Sequence, residues 1–233
     1  MRRATLDRLC RARRAGQPVV LAVHPESGAE ALFDPDTGEC EVAGVDVAAA
    51  ARAALAEDRP ALIDTAAGRI FLNVFNPPLK LVLVGAVHIA QALAPMARLA
   101  GYDVTVIDPR GAFADAARFG ETRLIADWPD DVLGQSPPDS RTAVVTLTHD
   151  PKIDDAALGV ALESPAFYIG SLGSRKTHAA RVERLAAAGF DADSIARIHG
   201  PVGLKLGGRA PEEIAVAILA QMTQVLRGGS HGG

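Results

Sequence analysis

The sequence is poor in cysteine and in aromatic residues, and it contains no long apolar run. Two cysteines among 233 residues, Cys10 and Cys40, cannot build a disulfide framework, and their spacing is unlike that of metal-binding cysteines. Aromatic residues make up 4% of the chain and the net charge is −4, so neither a base-stacking platform nor a general nucleic-acid surface is expected. No run reaches the roughly 18 apolar residues of a membrane span, and we expect a cytoplasmic protein with no membrane segment.

What is present is the composition of a globular protein, 48% hydrophobic and 22% charged. The basic start of the chain predicts an amphipathic helix with Leu6 and Leu9 facing inward, and not a secretory signal. Short strand and helix patterns then continue to Pro77 and Pro78, two residues that interrupt both a helix and a strand ladder. Residues 1–77 are therefore expected to form a small α+β domain.

After this boundary, apolar strands alternate with helices through residues 78–227. Strands are expected at 80–84, 103–107, 124–126, 143–147 and 166–169, and helices at 89–100, 153–162, 176–188 and 211–226. This alternation predicts an α/β domain with a Rossmann-like, doubly wound parallel sheet in the order 3-2-1-4-5, which binds ligands at the carboxyl ends of its strands. Residues 134–140 read as a loop, and residues 228–233 as a disordered tail.

The segment from Tyr168 to His178 is the clearest candidate for a ligand site. A strand turns through two glycines into the start of a helix, so backbone N–H groups and the helix dipole converge as they do around a bound anion. The candidate residues of this anion cradle are Gly170, Ser171, Gly173, Ser174, Arg175 and Lys176. The spacing is close to that of a P-loop, but Arg175 stands in place of the second glycine, which argues against a nucleotide triphosphatase. An ordinary strand-to-helix turn with solvated basic residues is the alternative.

A second candidate lies between the first strand of the sheet and its helix. Gly85 is the first glycine of a dinucleotide-binding pattern, and Asp108, at the end of the next strand, is placed to hold a ribose. Val87 replaces the middle glycine, and its β-branched side chain obstructs the approach of a pyrophosphate to the backbone. His88 and Arg110 could contact a ligand here, or could be a helix-start histidine and a solvated turn residue.

Two later loops also carry candidate residues. His149 and Asp150 follow the fourth strand, where Asp150 is expected to cap the next helix while the role of His149 stays open. Four glycines and two prolines between Ile198 and Pro211 predict a fixed backbone path, on which His199 and Gly203 could face the cradle. A purely structural turn is the competing interpretation. We find no Ser-His-Asp order, zinc-ligand spacing or nucleophilic cysteine.

Four of these motifs together resemble the XdhC/CoxI family, whose members are accessory proteins in the maturation of xanthine dehydrogenase and carbon monoxide dehydrogenase. The resemblance runs from about Leu81 to Leu226. It is carried by LVGAVHIAQ at 83–91, VIDPR at 106–110, YIGSLGSRKT at 168–177 and IHGPVGL at 198–204. The family usually has a glycine at the position of Val87. A Gly-Gly-Cys-Val-Glu segment of its N-terminal domain has only the sequence around Cys40 as its nearest counterpart.

The resemblance implies a Rossmann domain accompanied by a smaller N-terminal domain. It also implies binding of the molybdenum cofactor, as molybdopterin or its cytosine dinucleotide, and delivery of this cofactor to a molybdenum hydroxylase. The implied partners are the apo-form of the hydroxylase and the sulfurase that adds the terminal sulfur, and a homodimer is possible. We therefore expect a carrier without turnover chemistry. Two alternatives remain: an NAD(P)-dependent oxidoreductase that uses the same crevice, and an adaptor that only bridges apo-hydroxylase and sulfurase.

Overall fold

In the computed structural model the described residues are 1–33, 35, 37–111 and 118–228. They fall into two compact units, Met1–Pro77 and Pro78–Gly233. Each unit has its own sheet and its own hydrophobic core. Of the residues predicted to form a disordered tail, Gly228 ends the last helix, and 229–233 lie outside the described residues.

The first unit is an antiparallel sheet with two helices. Its elements are α1 (Arg3–Arg14), β1 (Val19–Val23), β2 (Glu30–Phe33), β3 (Glu41–Val42), β4 (Val45–Asp46), α2 (Ala48–Glu57), β5 (Ala61–Thr65) and β6 (Gly68–Phe75). The sheet order is β2-β1-β6-β5, and β3 and β4 pair separately. The α+β class expected for this region is confirmed, although β3, β4 and β5 were not predicted.

The core of this unit follows from the alternation of side chains along β6. Ile70 and Leu72 face inward and are fully buried, and they pack with Ala51 of α2, while Phe71 between them is exposed. In α1 only one of the two leucines is buried as expected: Leu9 is 5% exposed, whereas Leu6 is 42% exposed. The prediction for Leu6 is therefore wrong.

The second unit contains a six-stranded parallel sheet with helices on both faces. Its elements are β7 (Leu79–Val84), α3 (His88–Leu99), β8 (Tyr102–Ile107), β9 (Arg123–Ile125), α4 (Pro129–Gln135), β10 (Thr142–Thr146), α5 (Pro151–Leu162), β11 (Tyr168–Ser171), α6 (Arg175–Ala187), α7 (Ala192–Ala196), β12 (Ile198–His199) and α8 (Pro211–Gly228). The helices α4 and α7 and the short strand β12 were not predicted, and α4 takes up the first two residues of the expected loop at 134–140.

The strand order β12-β11-β10-β7-β8-β9 is the Rossmann order. The predicted fold class and the predicted order of five strands are therefore confirmed, and β12 adds a sixth strand at one edge. Strands β7 and β10 are nearly continuous apolar runs because helices cover both of their faces. The order reverses between these two strands, so the loops that follow them flank the crevice in which such folds bind ligands.

Candidate functional site

Every predicted site residue of the parallel sheet lies at or just beyond the carboxyl end of a strand. The parallel register pairs Val84 with Ile107 and with Thr146, and pairs Gly170 with His199. All of these strands therefore end at the same edge. Helices α3, α5 and α6 begin there, which adds the positive ends of three helix dipoles.

The loop after β7 is shaped by Gly85. This residue has a φ of +113°, and a Cβ there would lie 2.7 Å from Cγ2 of Thr148 in the loop after β10. Only glycine suits both conditions, so Gly85 lets the two loops meet at the point where the strand order reverses. Val87 is the N-cap residue of α3, but its side chain makes no capping hydrogen bond. His88, the first residue of the helix, is exposed.

The carboxylate of Asp108 is fully buried and engaged by the protein itself. Arg110 donates to both of its oxygens, from Nε at 2.9 Å and from Nη2 at 2.8 Å, and the backbone N–H of Ala86 donates at 2.8 Å. Burial alone raises the pKa of Asp108, but these hydrogen bonds outweigh it and hold the pKa below its usual value. Asp108 thus ties the loop after β8 to the loop after β7.

A second buried carboxylate, that of Asp154, anchors the loop after β10 by hydrogen bonds. Asp154 accepts hydrogen bonds from the backbone N–H groups of Thr148 and His149 and from the Thr148 hydroxyl, at 3.2, 3.1 and 2.7 Å. His149 adopts the left-handed conformation, with φ of +64°, and its side chain is exposed. Asp150 accepts from the backbone N–H of Lys152, so the expected helix cap is confirmed.

Asp154 faces Arg181, a pair that the sequence did not point to. Arg181 on α6 is 2% exposed, its Nη2 lies 3.8 Å from Asp154 Oδ2, and the same nitrogen donates to the carbonyl of Leu172. Its Nε and Nη1 have no hydrogen-bond partner among the described residues. Burial raises the pKa of Asp154 and lowers that of Arg181. The pair links the loop after β10 to the loop after β11.

In the predicted cradle, Gly170 and Ser171 contact neighbouring parts of the protein itself. A Cβ on Gly170 would lie 2.6 Å from Val202 Cγ2 and 2.8 Å from the Tyr168 ring, so the glycine makes room for packing. Ser171 is buried, with its hydroxyl 2.5 Å from that of Thr146.

The remaining cradle residues lie around the start of α6. Ser174 caps the helix by accepting from the backbone N–H of Thr177 at 3.1 Å. Gly173, with φ of +148°, precedes this cap, and a Cβ there would be 3.1 Å from the Thr177 side chain. Arg175 and Lys176 form the exposed first turn of α6.

The loop between β12 and α8 forms one wall of an open pocket of about 920 Å³. Of the residues predicted from the sequence, Arg175, His199 and Gly203 line this pocket. The residues that do not line it are Gly85, His88, Asp108 and Arg110, in the β7 and β8 half of the edge, and the cradle residues Gly170, Ser171, Gly173, Ser174 and Lys176. The His199 ring stacks on the Tyr168 ring with centroids 4.8 Å apart. The structure therefore brings together Arg175 of α6 and the glycine-proline loop.

Gln221 of α8 also lines this pocket, and sequence reasoning missed it. Its Oε1 accepts from the Tyr168 hydroxyl at 2.6 Å and from the Gly203 N–H at 2.7 Å. The feature of the sequence that could have identified Gln221 was the helix periodicity. Gln221 directly precedes the buried Met222 and lies three and four residues after the buried Ile218 and Ala217, so it is a polar residue at the border of an apolar face.

Within the described ranges, no group of three or more histidine, cysteine or acidic side chains could hold a metal ion. No helix among the described residues is both long and apolar enough to cross a membrane. The site is thus a pocket on a Rossmann domain whose lining includes two cations, neutral polar side chains and the carboxylate of Glu213, which accepts from the backbone N–H groups of Arg209 and Ala210. Because this carboxylate is engaged by backbone donors, the two cations make the pocket suited to an anionic organic ligand.

The comparisons with known proteins place this domain in a family. The model of the XdhC Rossmann domain matches residues 81–222, and the chain therefore belongs to the XdhC family. A solved structure described as a xanthine dehydrogenase from Bacillus halodurans is similar, with a TM-score of 0.71 and 25% identity, over 97% of this chain and 66% of that one.

Curated relatives are similar over about two thirds of the chain. The molybdenum cofactor insertion chaperone PaoD of Escherichia coli K12 is 30% identical over 151 residues, which is 65% of this chain and 41% of PaoD. A protein of Bacillus subtilis 168 described as a probable xanthine dehydrogenase component is 31% identical over 156 residues, 66% of this chain and 45% of that protein. The uncharacterized protein YqeB of E. coli K12 is 30% identical over 168 residues, which is 67% of this chain and 29% of YqeB. The chain thus spans less than half the length of each.

Proposed function

We propose that this protein binds the molybdenum cofactor, as molybdopterin or its cytosine dinucleotide, and delivers it in sulfurated form to a molybdenum hydroxylase such as xanthine or carbon monoxide dehydrogenase. Membership of the XdhC family supports a role in maturation, as do the names of two relatives, a cofactor insertion chaperone and a xanthine dehydrogenase component. The partners in this proposal are the apo-form of the hydroxylase and a cysteine desulfurase, and the carrier itself could act as a homodimer.

The observation that carries the proposal is the composition of the pocket beside α6. It is lined by Arg175 and Lys205, two cations without an ion-pair partner among the described residues, and by the neutral polar side chains of His199 and Gln221. The carboxylate of Glu213 lines it as well, but accepts hydrogen bonds from the backbone N–H groups of Arg209 and Ala210. A volume of about 920 Å³ lies within the range of small-molecule sites. A molybdopterin has a polar pterin ring and an anionic phosphate. The polar side chains of the pocket suit the ring, and its cations suit the phosphate.

The residues present fit a carrier. When bound, the cofactor supplies the molybdenum redox chemistry that the recipient enzyme uses. The chain's own residues bind and orient the organic part: Arg175 and Lys205 would neutralise the phosphate, and the loop of Gly203 would form the wall against which the ring lies. The exposed position of this loop at the sheet edge leaves the ligand within reach of a recipient protein.

The loops after β7 and β8 support the alternative NAD(P)-dependent oxidoreductase less well. Asp108, the acid expected to bind the ribose, already accepts hydrogen bonds from Arg110 and Ala86. Val87 occupies the position where a glycine would admit the pyrophosphate. A dinucleotide would have to displace Arg110 from a buried carboxylate before it could bind in the usual way.

The test is retention of the cofactor by the purified protein. The apoprotein is incubated with molybdopterin, separated by gel filtration and assayed for bound pterin by fluorescence. We expect wild-type protein to retain pterin, and R175E/K205E to retain at least tenfold less because two attractive charges become repulsive. The control R123E changes an exposed arginine at the opposite edge of the same sheet and should retain pterin normally.

Wild-type protein that retains no pterin would refute the carrier proposal. If such protein still captured the apo-hydroxylase and the sulfurase, the adaptor alternative would replace it. Micromolar binding of NADH or NADPH, followed by nicotinamide fluorescence, would instead favour the oxidoreductase.

A further inference from the structure

The side-chain amide of Gln221 has a fixed orientation. Its Oε1 accepts from the backbone N–H of Gly203 at 2.7 Å and from the hydroxyl of Tyr168 at 2.6 Å. A backbone N–H can only donate, so the amide atom that faces Gly203 must be the oxygen. Burial raises the pKa of Tyr168, which keeps its hydroxyl protonated and able to donate as well.

With the oxygen fixed, the other end of the amide is fixed too. Nε2 of Gln221 carries two N–H donors, and no described residue accepts a hydrogen bond from it. Gln221 is part of the pocket lining. An amide held by two bonds on one side and unpaired on the other presents its donors to a ligand at no cost of reorganisation.

His199 offers complementary groups on the same wall. Its ring is held in a nearly parallel stack on Tyr168, at an interplanar angle of 10°. Burial lowers the pKa of His199, so the imidazole is neutral near pH 7 and has one donor and one acceptor nitrogen. Neither nitrogen has a hydrogen-bond partner among the described residues.

These groups match a heterocycle edge on which an acceptor lies next to a donor. A ring carbonyl next to a ring N–H, as in the pyrimidinone part of a pterin, accepts from an amide N–H and donates to a neutral imidazole. Guanine has the same edge, and adenine offers an equivalent pair in its N1 acceptor and its amino donor. The cations Arg175 and Lys205 in the same pocket favour a ligand that is anionic elsewhere.

We infer that Gln221 and His199 are specificity-determining residues that read an adjacent acceptor and donor on the edge of an anionic planar heterocycle, with Arg175 and Lys205 holding its charged group. In a pterin, Gln221 donates to the carbonyl oxygen and His199 accepts from the neighbouring N–H. This inference rests on the proposed function in naming a pterin as the natural ligand, and it assigns the part of the pocket that distinguishes a pterin from anionic rings without such an edge.

The substitution Gln221→Glu separates recognition from folding. A glutamate can accept the same two hydrogen bonds from Tyr168 and Gly203 but has no N–H to donate. We expect Q221E to keep the wild-type Tm within about 2 °C, since both hydrogen bonds that Gln221 accepts are retained. The matched control is Q224E, which adds the same charge three residues later on the exposed face of α8.

The probe is 6-carboxypterin, an anionic pterin with its own fluorescence, with GMP and 2-naphthoate, a planar anion without polar ring atoms, as competitors. We expect wild-type protein to bind 6-carboxypterin at least tenfold more tightly than 2-naphthoate, and Q221E to lose at least tenfold in affinity for 6-carboxypterin while Q224E loses less than threefold. H199F, which preserves a ring against Tyr168 but has no ring nitrogen, should also lose at least fivefold. A GMP affinity equal to that of 6-carboxypterin would identify the shared edge as the feature recognised, and a weaker one would identify the pterin.

Equal binding of 6-carboxypterin by wild type and Q221E would overturn the inference, as would equal binding of 2-naphthoate and 6-carboxypterin by wild type. The outcome is separable from that of the carrier proposal. If molybdopterin is retained equally by wild type and Q221E, the carrier proposal stands and the inference fails. If 6-carboxypterin binds through Gln221 but molybdopterin is not retained, the inference stands and the carrier proposal fails.

Discussion

Arg110 binds both carboxylate oxygens of Asp108, with Nε 2.9 Å from Oδ1 and Nη2 2.8 Å from Oδ2. The two residues are only two positions apart, so the pair closes a tight loop at the end of β8. Since Asp108 also accepts from the N–H of Ala86, the pair fixes the neighbouring loop after β7. An acid that would bind a ribose in a dinucleotide enzyme here stabilises the edge of the sheet.

The first prediction concerns the pH dependence of stability at this pair. The hydrogen bonds of Asp108 hold its pKa below the unfolded value of about 3.9, so its contribution is fully present above about pH 4. It is lost as the pH falls through the lower pKa of the folded state. D108N should lower the free energy of unfolding by about 2 kcal/mol at neutral pH, because charge-assisted hydrogen bonds to a buried group are lost.

Urea unfolding of wild type and D108N at several pH values tests this. The difference between them should shrink toward zero as the pH is lowered below about 4. A difference that stays constant with pH would show that the carboxylate charge is not what stabilises the loop.

The second prediction concerns Gly170 of the predicted cradle. If its role is to admit Val202 and Tyr168, then G170A places a methyl group 2.6 and 2.8 Å from their side chains. We expect a loss of about 1–3 kcal/mol in the free energy of unfolding, since overpacking forces side chains off their preferred conformations.

A matched control is G134A in α4, where a Cβ meets nothing within 4 Å and the glycine is helical. That substitution should be neutral or stabilise by about 0.5–1 kcal/mol. The two variants are compared by their Tm. A G170A protein as stable as G134A would contradict the packing role and return Gly170 to a purely ligand-binding interpretation.

The parts of the fold that the sequence predicted are those encoded by short-range patterns. Strands such as β7 and β10 were located within one or two residues because they are continuous apolar runs, and the cap at Asp150 because capping depends on neighbouring residues. By contrast, β12 has only two residues and is a strand solely because β11 lies beside it.

The same contrast between local and long-range signals holds for the residues of the site. Arg175 and His199 were predicted from glycine-rich segments, and both line the pocket. Gln221 was not, because its amide is oriented by Tyr168, 53 residues away in the chain. Arg181 and Asp154 were missed for a similar reason, since their helices meet only once the sheet has formed.

The third prediction concerns the reactivity of the two cysteines. Burial, with a smaller effect of Asp46, raises the pKa of the Cys40 thiol to about 11. At about pH 8 roughly one thiol in a thousand is then ionised, and the thiolate is the reactive form. In a titration with Ellman's reagent, native protein should react at the half-buried Cys10 and leave Cys40 unmodified until denaturant is added. C10S should therefore be almost silent when native, and rapid labelling of native C10S would contradict the burial of Cys40.

The last prediction concerns the buried pair of Asp154 and Arg181. D154A removes the three hydrogen bonds that hold Thr148 and His149, and it removes the more deeply buried of the two carboxylates that lie 3.8 Å from the guanidinium of Arg181. We expect a loss of about 3–5 kcal/mol in the free energy of unfolding, the usual cost when one partner of a buried ion pair is removed. The control is E121A. Glu121 pairs with Arg98 on the exposed surface, so its loss should cost less than about 1 kcal/mol. The difference is measured by urea unfolding at neutral pH, and a D154A protein no less stable than E121A would show that the pair does not hold the two loops.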